Sequence, residues 1–164
     1  MYQERPIVLT RRVSEGDSLF GSVTAFDADG MPMEAQVVSK KRVADHGEVY
    51  TRKREVDAML DLVKSETERI DSRFLEPACG TGNFLTEILE RKLRVVARRY
   101  RKSPFEQERY AVLAVSSIYG IDILEDNVVE CRRRLFSVAQ RRCKNLFRED
   151  YLRTVKYILE RNII

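Results

Sequence analysis

The sequence predicts an α/β chain in which short parallel strands alternate with covering helices behind a small β-rich N-terminal extension. Three observations carry that expectation. The apolar period changes from two residues to 3.6 near position 51. A strand, a glycine-containing turn and a helix follow one another across 73–96. A second strand-to-helix step follows at 118–138, and a third strand opens at 162–164. Such alternation builds a parallel sheet, because parallel strands need a long crossover between them.

Length and composition bound the rest. A chain of 164 residues suits one domain, or one domain with an appendage. With 43% hydrophobic and 34% charged residues, seven Gly and four Pro, it reads as an ordinary soluble protein, not a collagen-like or disordered one. No apolar run approaches the roughly 18 residues of a membrane span. The opening MYQERPIVLTRR has no apolar stretch of the kind a secretory signal needs, so a cytoplasmic location is expected. Cys79, Cys131 and Cys143 are an odd number without C-x-x-C spacing, which indicates free thiols rather than a disulfide or zinc framework. The single His46 argues against a His-based metal site. The net charge of +4 gathers in Arg91–Lys102 and Arg132–Lys144. A polyanionic partner would suit it, and solvated helix faces balanced by 26 carboxylates account for it equally well.

Taken in order, residues 1–44 lean towards strand. Ser22–Phe26 and Glu34–Val38 alternate apolar and polar residues around the turn-forming Asp27-Ala-Asp29-Gly30. A calcium loop starting at Asp27 fails, because its twelfth position is Val38 and not a bidentate Glu. Val56, Met59, Leu60 and Val63 mark a helix face, with Thr51 as its expected N-cap. Arg73–Glu76 is the first strand of the alternating region. Leu85, Ile88, Leu89, Leu93 and Val96 then form one helical face. Ser103-Pro104-Phe105-Glu106 has the form of a capping box, opening a helix to about Ser117. Ile118–Ile123 is the second strand. Val128, Cys131, Leu135 and Val138 mark the next helix, with Glu130 and Arg134 paired at i, i+4 on its solvated side. Tyr151, Val155, Ile158 and Leu159 mark the last helix, and Asn162-Ile-Ile164 begins a third strand.

The chemistry concentrates in Phe74-Leu-Glu-Pro-Ala-Cys-Gly-Thr-Gly-Asn-Phe-Leu85. Gly80 and Gly82 let the chain turn sharply and let a ligand lie on bare backbone at the carboxyl end of the first strand. This is not the dinucleotide G-x-G-x-x-G motif, since Leu85 holds the third glycine position, nor a phosphate-binding loop ending in Gly-Lys-Ser/Thr. Glu76, four residues before the first glycine, suits a cationic ligand better than a phosphate. Asp122, at the end of the second strand, is placed to accept from both ribose hydroxyls of a nucleoside, and Ile123 to pack on its adenine. Cys79 reads as a small loop-filling residue and His46 as a surface or loop histidine.

The run Phe-Leu-Glu-Pro-Ala-Cys-Gly-Thr-Gly-Asn-Phe resembles the cofactor-binding motif of S-adenosylmethionine-dependent N6-adenine DNA methyltransferases of restriction–modification systems. His46-Gly-Glu-Val-Tyr-Thr51 resembles the family's N-terminal Tyr/Phe-Thr-Pro motif, with Arg52 where the family usually has Pro. Tyr119-Gly-Ile-Asp122 resembles its second motif, and the three occur in family order across 46–123. The resemblance implies a partial Rossmann-like methyltransferase domain over 45–164, behind the extension of 1–44. It also implies that Tyr50 and Thr51 contact the methionine part of S-adenosyl-L-methionine. Glu76 would face its amino group or the water beside it. Ala78, Gly80 and Gly82 would supply close backbone, Asn83 and Phe84 the cofactor edge, Asp122 the ribose contact and Ile123 the adenine contact.

Transfer to an adenine amino group needs the base flipped out of the duplex, and in the family an Asn/Asp/Ser-Pro-Pro-aromatic loop holds it. Pro6, Pro32, Pro77 and Pro104 each stand alone, and the Pro-Cys of cytosine-C5 enzymes is absent as well. The chain is therefore expected to be a cofactor-binding fragment without a catalytic residue of its own. It would meet DNA through the complete enzyme, with a C-terminal portion or a second chain supplying the catalytic loop and target recognition. A non-catalytic cofactor-binding subunit that scaffolds a nucleic-acid complex, and a methyltransferase acting on RNA or protein, stand as alternatives.

Overall fold

The computed structural model describes residues 51–142 and 149–164, and the extension expected over 1–44, His46, Tyr50 and Cys143 lie outside them. The described chain is mostly helical around a small parallel sheet. Its elements are α1 (Lys53–Asp61), α2 (Lys64–Thr67), β1 (Phe74–Glu76), α3 (Asn83–Arg99), α4 (Pro104–Ser116), β2 (Ile118–Gly120), α5 (Glu125–Arg142) and α6 (Glu149–Asn162). None of these helices is long and apolar enough to cross a membrane.

The apolar spacings account for the packing. Leu85, Ile88, Leu89, Leu93 and Val96 of α3 are all buried, as are Val128, Cys131, Leu135 and Val138 of α5. These two stripes pack against each other, while α4 packs on α3 and α6 on both α4 and α5. Ser103 caps α4 as expected, its Oγ accepting from the Glu106 amide at 3.3 Å with Pro104 in the first turn. The first helix departs from expectation. Arg52, not Thr51, is its N-cap, and Glu55 Oε2 accepts from the Arg52 amide at 3.3 Å. Only Val56 and Leu60 of its expected face are buried. Met59 is 54% exposed and Val63 46%, since the helix ends at Asp61 and offers α3 a single i, i+4 contact row.

β1 and β2 pair in parallel, with Phe74 opposite Ile118, Leu75 opposite Tyr119 and Glu76 opposite Gly120. Ile163 forms a parallel bridge to Gly120 on the other side of β2, so the expected third strand begins there. Asn162 remains in the helix, and its side-chain amide donates to the carbonyls of Ser116 and Ile118 at 3.2 and 3.1 Å. β2 is also shorter than expected. Beyond Gly120 the chain turns, the Asp122 carboxylate taking the Leu124 amide at 2.9 Å. Ile118 and Ile163 are completely buried beneath helices, whereas Leu75 is 64% and Ile164 58% exposed on the alternate face.

Among the described residues, Lys92 is the one lysine in this core. Its ammonium is fully buried, donating to the carbonyls of Ile70 (3.3 Å) and Ser72 and to Ser117 Oγ (2.5 Å), 5.0 Å from the centroid of the Phe74 ring. Burial pushes it down to about 8 from its ordinary 10.5, against the opposing pull of the Asp71 charge. The folded value lies below the unfolded one, so between these limits the unfolded chain binds more protons. Stability should therefore rise with pH through that window, and the buried charge should weigh fully below it. The limiting slope is about 1.4 kcal/mol per pH unit. Denaturant midpoints taken from pH 7.5 to 10 should climb in the unmutated chain and stay flatter in Lys92→Met. Parallel curves for the two proteins would disprove this.

Candidate functional site

Two loops meet at the carboxyl end of the sheet, one after β1 and one after β2. Backbone bonds lock them together: the Ile121 amide donates to the Glu76 carbonyl and the Cys79 amide to the Ile121 carbonyl, both at 2.9 Å. The loop after β1 then closes tightly, the Gly82 amide donating to the Cys79 carbonyl at 2.8 Å. Gly80 and Gly82 both have positive φ, +50° and +84°, where a side chain is strained. At Gly82 there is a second requirement, because a Cβ there would lie 2.5 Å from Cys131 Sγ. At Gly120 a Cβ would come within 2.8 Å of Leu85 Cδ1 and 3.0 Å of Cys79 Sγ.

Asp122 is tied into this loop from across the sheet. Its Oδ2 accepts from the Gly80 amide at 2.8 Å, and its Oδ1 from the Leu124 amide at 2.9 Å and Asn127 Nδ2 at 3.3 Å. A carboxylate offers about four acceptor positions, so these bonds leave room for a further donor. Glu76 is the contrasting case. It is half-buried at the mouth of the same loop, with no side-chain hydrogen bond or ion pair among the described residues. Burial pushes its carboxyl above the ordinary value. The two carboxylates thus flank a glycine loop, an environment that favours a ligand bearing hydroxyl donors and positive charge over a phosphate.

Cys79 is buried and packs against the Gly120 backbone, which agrees with a loop-filling role. Cys131, on α5, is completely buried beside it. The neighbouring Cys79 thiol and burial push the Cys131 thiol far up.

The remaining expected site residues divide. Thr51 and Asn83 meet, Asn83 Nδ2 donating to the Thr51 carbonyl at 3.0 Å. Ala78 is exposed in the glycine loop and Ile123 is 84% exposed beside Asp122. Phe84 is half-buried and packs against the hydrophobic core. Tyr50 lies outside the described residues. Among the described residues, no group of three or more His, Cys, Asp or Glu side chains is placed to hold a metal ion.

Three participants escape a reading of motifs. Asn127 reaches Asp122 from the first turn of α5, and Cys131 seats Gly82. The third is Arg134. The expected pairing of Glu130 with Arg134 is replaced by Glu130 with Arg133, through two bonds of 2.7 Å. Arg134 Nη1 turns to the loop, donating to the Thr81 carbonyl (2.9 Å), Thr81 Oγ1 (3.0 Å) and Asn83 Oδ1 (2.7 Å). Arg132 likewise leaves solvent, donating to the carbonyls of Ile163 and Glu160. Helix spacing alone could not separate these three arginines, since each has polar neighbours within one turn. No protein-family model, no curated protein and no solved structure matches the chain.

Proposed function

We propose that residues 45–164 form the S-adenosyl-L-methionine-binding portion of a Rossmann-like, N6-adenine DNA methyltransferase of the restriction–modification kind. The methyl group would pass to an adenine flipped from the duplex, on a catalytic loop that this sequence does not contain. Glu76 would face the cofactor's amino group, Asp122 its ribose diol and Ile123 its adenine, with Gly80 and Gly82 giving it bare backbone to lie on. The observation that carries the reading is the half-buried Glu76, without a side-chain partner among the described residues, beside a glycine loop that a second carboxylate holds from the neighbouring parallel strand. A half-buried carboxylate gives up part of its hydration, which a cationic ligand would offset. Sheet order supports the same reading, with β1 and the Ile163 bridge on opposite sides of β2.

The test is Glu76→Gln, followed by calorimetry with S-adenosylmethionine and by thermal melting. An acid whose folded pKa is raised contributes stability only at low pH, and loses it as pH rises through the folded value. The glutamine variant should therefore melt higher at pH 7, with the gain fading towards pH 4. It should also bind the cofactor on the order of tenfold more weakly, the scale of one charge-assisted contact. A chain that binds no S-adenosylmethionine, or a variant that binds as well as its parent, would overturn the assignment.

A further inference from the structure

Arg134 sits on α5, a helix that carries none of the expected cofactor contacts, yet its guanidinium is committed to the glycine loop. One nitrogen, Nη1, makes all three bonds, to the Thr81 carbonyl, Thr81 Oγ1 and Asn83 Oδ1. With its oxygen turned to that cation, the Asn83 amide presents its nitrogen to the Thr51 carbonyl at 3.0 Å. A single relay thus runs from α5 through the glycine loop to the segment entering α1. One turn back on the same helix, Cys131 fills the space against Gly82, so α5 braces the loop at two points. No carboxylate among the described residues pairs with Arg134, since Glu130 is taken by Arg133. Its hydrogen bonds go to loop oxygens, where charge-assisted bonds are about twice as strong as neutral ones.

We propose that Arg134 is a positioning residue, which clamps Thr81 and Asn83 and, through Asn83, the backbone at Thr51 into the arrangement that receives the cofactor. The clamp rests on the cofactor reading only for what it positions; the hydrogen bonds that form it do not depend on that reading.

Two variants of the full chain test it. Arg134→Ala removes every bond, whereas in Arg134→Lys an ammonium with three protons replaces the single donating nitrogen on a side chain one bond shorter. In Arg134→Ala, amide hydrogen exchange should quicken on the order of tenfold across 79–83 and 52–56 and stay unchanged at Ala111–Val115 in α4. S-adenosylmethionine affinity should fall by a similar factor, and Arg134→Lys should recover most of both. Unchanged exchange at the loop, or equal acceleration throughout α4, would overturn the clamp. Absence of binding by the unmutated chain would sink the cofactor reading instead, and the exchange arm would still decide the role of Arg134.

Discussion

Gly82→Ala should destabilise the chain by about 2–5 kcal/mol and abolish cofactor binding, the largest effect expected of any single methyl group here. Two separate costs add. The backbone at Gly82 has φ +84°, and a residue with a Cβ in the left-handed region loses about 1–2 kcal/mol. The new Cβ would also fall 2.5 Å from Cys131 Sγ, inside van der Waals contact, and overpacking of this kind costs about 1–3 kcal/mol. The two are separable because the obstacle is one sulfur atom. In a Cys131→Ala background the remaining α5 atoms that the Cβ meets are 3.5 and 3.7 Å away, ordinary contact distances. Gly82→Ala should therefore cost only its conformational share there, about 1–2 kcal/mol. Urea denaturation of the four proteins in this cycle measures both terms. Equal penalties in the two backgrounds would show that the thiol is not the obstacle.

Much of this arrangement is legible in the sequence, and the reasons differ by element. The α3 and α5 stripes are long enough for period 3.6 to identify their buried faces, and every expected core residue on them is buried. The Ser103-Pro104 opening of α4 succeeds because a cap is a local bond between near neighbours in sequence. The motif residues Glu76, Gly80 and Asp122 come together because strand ends at one edge of a parallel sheet converge. What escapes is set by distance along the chain. Thr51 reads as a cap from its residue type, but its carbonyl is engaged by Asn83, 32 residues away. Arg134 reads as solvated, but its partners lie 51 and 53 residues upstream. Neither contact leaves a periodic signal.

Asp122 carries the second large effect, because one carboxylate has both a structural and a binding task. In Asp122→Ala the Gly80 and Leu124 amides lose their acceptor, and part-buried donors left without one cost about 1–3 kcal/mol. Asp122→Asn is not a gentle substitute. Oδ1 and Oδ2 both accept from backbone amides, so an asparagine must turn its own NH2 group against one of those donors. Both variants should therefore loosen the glycine loop, and both should bind S-adenosylmethionine at least roughly tenfold more weakly, the loss of one charge-assisted bond to the ribose. Weak binding alone would not separate a lost ribose contact from a slack loop. A cycle pairing Asp122→Ala with a cofactor analogue lacking the 2′ and 3′ hydroxyls does. If Asp122 holds the ribose, removing the hydroxyls should weaken binding by the unmutated chain and matter little to the variant. If Asp122 only tethers Gly80, the two losses should add, and the ribose role would be refuted while the tether stood.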